Sequence, residues 1–168
     1  SPGSPEAALR AAGAGVAGTE AVMNGETDVA FCAVRPPGHH ATPDTAMGFC
    51  LFDSIAVAAA HALDRFGLAR VAIADFDVHH GNGTQAIFEQ DPRVLYLSSH
   101  QADLYPWSGA ANERGVGNLV TLPLPAGSGG EAFRRAWREH LLPALDAFAP
   151  QLVLVSAGFD GDRRDPLA

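Results

Sequence analysis

Asp75, Asp77 and His79 stand two residues apart at the end of the apolar run Val71-Ala72-Ile73-Ala74, which reads as a buried strand of a parallel sheet. If the backbone stays extended through them, their side chains leave from one side, and two carboxylates and an imidazole share a small volume. That donor set suits a metal cation. An isolated Asp-x-His is more often a hydrogen-bonded strand end, so the reading depends on what stands elsewhere. A second strand-like run, Val29 to Val34, leads into Arg35-Pro36-Pro37-Gly38-His39-His40, and the first leads into His79-His80, so four of the seven histidines fall in two adjacent pairs. Imidazole titrates near neutrality, and a neighbour bonded to one ring nitrogen sets the tautomer and proton affinity of the other. Asp75 and Asn82 are the available neighbours. A third run, Leu152 to Ala157, leads into Gly158-Phe159-Asp160-Gly161-Asp162. Asp160 is thereby the candidate third ligand, and Gly158 a place where the backbone can approach another group closely. Three protein ligands leave a coordination position open, as in catalytic zinc sites, whereas structural zinc is closed by four ligands rich in cysteine. The oxygen-rich set leaves iron, cobalt or manganese open as well.

These residues need strands to carry them, and apolar runs do alternate with helix-like segments, the pattern of a mainly parallel α/β sheet flanked by helices. Ser4-Pro5 offers a helix start, with an end near Gly25; Asp53 caps a helix running through Phe66, with Gly67 as its stop. Phe133, Trp137, Leu141, Leu145 and Phe148 recur at helical spacing, as core packing does, and Pro143 should bend that helix. Gln101 to Gly117 reads as a long loop that shapes the site. The 168 residues, 47% hydrophobic, suit a single domain over 1–168. No apolar run is long enough to span a bilayer and the first 25 residues lack a signal-peptide pattern, so the expected location is cytoplasmic with no membrane partner. The net charge of -8 and the absence of a basic run argue against direct nucleic-acid binding. All 11 basic residues are arginine, which with heavy Ala and Gly use suggests a GC-rich bacterial genome. Cys32 and Cys50 read as buried free thiols.

The strings RPPGHHA, MGFC, DFDVHHGNGTQ, GVGN and SAGFDGDRRDPLA, in this order, resemble the histone deacetylase and acetylpolyamine amidohydrolase superfamily, in particular its class II-like, bacterial branch. The resemblance runs from about Val29 to the last residue. It implies a three-layer arginase/deacetylase-like α/β fold, of which this chain would be a central part. It implies that Asp77, His79 and Asp160 bind zinc, that His39 pairs with Asp75 and His40 with Asn82, that His40 is the general base and then acid, and that His39 contributes electrostatically. Class I members carry an aspartate where this chain has Asn82, and a neutral amide should leave His40 less basic than a carboxylate partner would. The Gly48 carbonyl would accept the substrate N–H, Phe49 and Tyr105 would wall the acyl-lysine channel, and Leu167 would face its mouth. A structural potassium would take Asp75, the backbone oxygens of Asp77 and His79, Ser98 and the Ser99 carbonyl.

The implied activity is zinc-dependent removal of acetyl groups from N-acetylated amines, acetyl-lysine of proteins or related small amides, by metal-activated water and a histidine base. The family's oxyanion-stabilising tyrosine, in a Gly-Gly-Tyr setting, would lie beyond Ala168 and the N-terminal portion of the domain is missing too, so this chain is expected to be a feeble catalyst alone, with uncovered sheet edges that favour homo-oligomers or aggregation. Two other classes stay open: a binuclear-manganese ureohydrolase of arginase type, for which Asp162 is the one obvious extra acid, and an inactive module that binds acyl ligands without turnover.

Overall fold

The computed structural model of the protein describes residues 2–167; Ser1 and Ala168, the two ends of the single domain expected over 1–168, lie outside them. Its elements are α1 (Ser4–Met23), α2 (Ser54–Phe66), β1 (Val71–Asp75), α3 (Asn82–Phe88), β2 (Val94–Gln101), β3 (Leu119–Leu124), α4 (Gly130–Ala136), a π-helical turn (Trp137–Leu141), α5 (Leu142–Phe148) and β4 (Leu152–Ser156). The strands form one sheet in the order β3-β2-β1-β4, with every pair parallel. All of β1 and nearly all of β2 are buried, as continuous apolar runs in a helix-covered parallel sheet should be.

Strand alternation divides the core between two faces. Val71 and Ile73 of β1 join Val94 and Tyr96 of β2 against Ala59, Ala62 and Leu63 of α2 and Phe88 of α3. Ala72, Leu95 and Leu97 face the other way, onto Leu141, Trp137 and α5. Helices therefore lie on both sides and the architecture has three layers, as expected. Ala72 pairs in register with Val153, and Val153 and Val155 on β4 are 43% and 52% exposed. The helical cover on that face thus ends short of the edge strand. Among the described residues, no helix is long and apolar enough to cross a membrane.

Local chemistry sets both ends of α2. The Asp53 carboxylate accepts from the Ala56 N–H at 3.0 Å and starts α2, while Gly67 ends it in the left-handed region at φ 64°. Pro5 lies in the first turn of α1 as expected, although Gly3 and not Ser4 is the residue before the helix. Pro143 does more than bend its helix. It has no N–H to donate and its ring crowds the carbonyl four residues back, and just before it the chain widens so that the Leu142 N–H reaches the Trp137 carbonyl. The widened turn keeps Trp137 and Leu141 against the sheet.

Two expectations are corrected. Val29 to Val34 forms no strand; Val29 and Phe31 are 77% and 78% exposed. No strand among the described residues pairs with this segment, and apolar composition cannot replace the ladder that a strand's backbone groups require. Cys32 lies in the same segment and is exposed, with its thiol directed at the Ala14 carbonyl of α1 at 3.3 Å; only Cys50 is buried.

Candidate active site

The site is built at the carboxyl ends of β1 and β4. Asp75 is the last residue of β1 and is fully buried; its Oδ1 accepts from the Asp77 N–H at 3.2 Å. This turn-like bond ends the extended backbone immediately after Asp75. Asp77 and His79 nevertheless converge, because the Asp77 carboxylate accepts from the His79 N–H at 2.8 Å and lies 3.1 Å from its Nδ1. Asp160, from the loop after β4, closes the group: Oδ1 accepts from the Val78 N–H at 3.1 Å and Oδ2 lies 2.9 Å from His79 Nδ1. One donor atom from each of Asp77, His79 and Asp160 lies within 4.8 Å of the others. Gly158 makes this possible, since a Cβ there would come 2.0 Å from Asp77 Oδ2; the close approach expected of this glycine is onto a ligand. Two carboxylates and an imidazole, partly shielded from water and drawn onto one point, fit a divalent cation. Burial, opposed by His39 and reinforced by Asp160, raises the Asp77 carboxyl to about 6.

The histidine pair lies beside this cluster with complementary roles. His39 Nδ1 is 2.9 Å from Asp75 Oδ2, His40 Nδ1 is 2.9 Å from Asn82 Oδ1, and the two Nε2 atoms face each other at 3.1 Å. Asn82 offers its oxygen, so His40 carries hydrogen on Nδ1; with that ring neutral its Nε2 holds a lone pair, and His39 then donates from both nitrogens and is the charged partner. The electrostatics agree. Burial opposes charge on His39, but the Asp75 carboxylate, with Asp77 and Asp53 behind it, outweighs burial and raises its pKa to about 9. Burial and the charge on His39 hold His40 down to about 4, against the Asn82 bond, which raises it. His40 is thus a weak base, held so by burial and by His39, while the Asn82 bond works in the other direction. Gly48, at φ +55°, packs on His40 so closely that a Cβ would fall 2.3 Å from its ring.

Several supporting residues had left no sign in the sequence. Tyr96 lies inside β2, fully buried, and donates from its hydroxyl to Asp75 Oδ2 at 3.0 Å while accepting from the Gly81 N–H at 3.1 Å. It fixes Asp75 and leaves no hydroxyl for substrate. Asp53, besides capping α2, accepts from the Thr84 hydroxyl at 2.7 Å, and the Thr84 and Gly83 N–H groups both reach the His39 carbonyl. Asp53 thereby ties α2 to the start of α3, where Asn82 stands. Burial raises its carboxyl to about 6, against the Ala56 and Thr84 bonds that favour the charge. An acid whose folded pKa exceeds its unfolded value costs nothing below the unfolded value; the cost grows as pH rises towards the folded value and is constant above it. Asp53→Asn keeps an acceptor for Ala56 and supplies a donor to Thr84. The gap in melting temperature in favour of Asp53→Asn should therefore widen from about pH 4 to about pH 6 and level off by about pH 7, a change on the order of 3 kcal/mol. A gap that is constant across that range would show that Asp53 does not titrate in the fold.

The substrate-side residues are brought in unequally. The Tyr105 ring stands 5.2 Å from His40 and 6.3 Å from His79, nearly perpendicular to both. Phe49, at φ 64°, is held 81% exposed next to Gly48, whose carbonyl meets the Cys50 thiol at 3.3 Å. Ser98 and Ser99 are buried on β2, Ser98 in register with Asp75, and their hydroxyls face His100 and Trp137 respectively. Leu167 is 57% exposed in the terminal turn, its N–H donating to Asp165. Asp162 is paired with Arg164 at 2.8 Å and is not among the converging ligands.

A parallel α/β sheet that presents Asp, His and Asp at its strand ends beside a charged and a neutral imidazole has the parts of a metal-assisted hydrolase. The whole chain, residues 1–168, matches the histone deacetylase domain. It is 49% identical over 172 residues to the histone deacetylase-like amidohydrolase of Pseudomonas aeruginosa, covering 99% of this chain and 45% of that protein. It is 43% identical over 164 residues to a probable deacetylase of Archaeoglobus fulgidus, covering 95% and 45%. The crystal structure of acetylpolyamine aminohydrolase from Burkholderia pseudomallei superimposes with a TM-score of 0.88 at 41% identity, covering 94% of this chain and 47% of that one. The chain belongs to the histone deacetylase family. It spans about half the length of the curated relatives it matches.

Proposed function

We propose that this protein is a zinc-dependent deacetylase that hydrolyses the acetyl amide of acetyl-lysine in peptides or of related neutral-tailed amines. The observation that carries the reading is the junction of the Asp77-His79-Asp160 cluster with a histidine pair whose second member offers a lone pair. Zinc held by those three side chains supplies Lewis acidity towards an acyl oxygen and acidifies a water. His40 Nε2 takes the water proton and returns it to the leaving amine, so one imidazole serves both halves of the reaction. His39, kept charged by Asp75, holds positive potential where negative charge develops. Asn82 holds His40 in the tautomer that carries its lone pair on Nε2, the atom that must exchange the His39 hydrogen for the water proton. Gly48 and Tyr105 border the place where an acyl-lysine stem would lie. Potassium at Asp75, Asp77, His79, Ser98 and Ser99 belongs to the same proposal, as do a cytoplasmic location and feeble turnover by these 168 residues alone, since the Tyr96 hydroxyl is committed to Asp75.

Asp162 turned onto Arg164 favours one metal over two and so favours deacetylation over a ureohydrolase. A passive acyl-binding module would have no use for a charged imidazole against a neutral one. Substrate choice rests on Leu167, whose exposed side chain offers no charge to a second ammonium and would pack against a methylene stem. In the intact protein, kcat/KM for an acetyl-lysine peptide should exceed that for N8-acetylspermidine, and Leu167→Glu should narrow or invert the difference. Preference of the unaltered enzyme for the polyamine would reject this assignment, and no turnover of either substrate with zinc bound would reject the deacetylase reading itself.

A further inference from the structure

His80 belongs to the motif that carries metal ligand His79, yet neither the cluster nor the histidine pair uses it. Its ring is 2% exposed and turned towards the loop after β2. Nε2 lies 2.9 Å from Gln85 Oε1 and Nδ1 2.8 Å from Ser108 Oγ. The Gln85 amide nitrogen donates to Glu113, so its oxygen accepts, His80 carries hydrogen on Nε2, and Nδ1 accepts from the Ser108 hydroxyl. His100, 3% exposed, stacks beside it with ring centres 4.8 Å apart; it donates from Nε2 to the Gly109 carbonyl at 3.1 Å and faces the Ser98 hydroxyl through Nδ1. Glu113 then accepts from the Ala110 N–H at 2.8 Å, and the Thr121 hydroxyl donates to the Ala110 carbonyl at 2.8 Å. The loop touches the rings directly: a Cβ at Gly109 would come 2.6 Å from each imidazole.

The segment held in this way has reason to need holding. Asp103 and Trp107 both take positive φ, at 56° and 60°, a conformation that costs a residue with a side chain and persists only where surroundings impose it. Trp107 is 77% exposed, so burial of its own ring does little to offset that cost. Between these two positions sits Tyr105, the ring that borders His40 and His79. The strained part of the loop is thus the part facing the site, and the anchored part follows directly behind it.

We propose that His80, His100 and Ser108 form a latch that positions the 103–113 loop so that Tyr105 walls the reaction site. They are positioning residues for the deacetylation proposed above, on which this inference rests for its functional consequence. Ser108 is the clean test, because it is an exposed residue whose only change in the alanine variant is the hydroxyl that meets His80, and both imidazoles stay in place. In the intact protein, Ser108→Ala should raise KM for an acetyl-lysine peptide about fivefold, the usual weight of one neutral hydrogen bond, with kcat changed less than about twofold. Ser108→Thr, which keeps the hydroxyl, should restore KM. Zinc content should not change, and amide exchange over residues 103–113 should quicken in Ser108→Ala alone. On a Tyr105→Ala background the same substitution should add nothing, because the latch acts through that ring. Unchanged KM and exchange in Ser108→Ala, or an equal loss on the Tyr105→Ala background, would overturn the latch. If the unaltered protein with zinc bound turns over no acetylated amine, the deacetylase reading fails, and exchange over 103–113 then decides the latch by itself.

Discussion

His40→Ala should lower kcat on an acetyl-lysine peptide by about 10²- to 10⁴-fold, the range over which a positioned acid or base contributes, while leaving zinc bound. The proposed base follows from where the protons sit. Asn82 takes the hydrogen on His40 Nδ1, His39 directs its Nε2 hydrogen at His40 Nε2, and the one unprotonated nitrogen of the pair belongs to His40. His39 cannot replace it, because Asp75 keeps that ring charged to about pH 9. His39→Ala should cost less, since it removes potential and not the proton acceptor. The comparison is made from initial rates at saturating peptide, with metal content measured on the same samples. If His39→Ala is the more damaging substitution, the roles are reversed; if neither changes kcat, the proton moves through another group.

Asp160→Asn is expected to have the second large effect, on the metal. A neutral amide is a poor replacement for a carboxylate on a dication, and because its oxygen can still accept from the Val78 N–H, the loss falls on the negative charge that faces His79. The intact protein should contain about one zinc per chain, and the variant should lose it to a chelator that leaves the unaltered protein loaded. Elemental analysis after dialysis makes the measurement. Two metals per chain, or a zinc content unchanged in Asp160→Asn, would rule out a single site built on Asp77, His79 and Asp160.

The features that could be read in advance are those written in contiguous residues. Val71 to Ala74 is uniformly apolar because β1 is covered on both faces, and its polar end follows directly, so both the strand and two candidate ligands showed in a dozen letters. Asp53 and Gly67 marked the ends of α2 because caps are local chemistry. Val29 to Val34 misled for the complementary reason: its composition is that of a strand, but a strand also needs a partner, and composition does not report one. Leu167 carries its resemblance in three letters, Asp165-Pro166-Leu167, while the residues that would meet it are set by distant parts of the chain.

What sequence determined by itself, then, is an α/β chain with strand-end carboxylates and two histidine pairs, because side-chain period and residue chemistry act over a few positions. Only the tertiary structure decided which histidine is charged, since that depends on burial and on carboxylates more than thirty residues away. It alone turned His80 from its neighbour His79 towards Ser108, set the Tyr96 hydroxyl on Asp75, and made Asp53 a buried acid that braces α3. Each of these is a hydrogen bond between elements separated in the chain, and such a bond exists only after the sheet has brought its strand ends together.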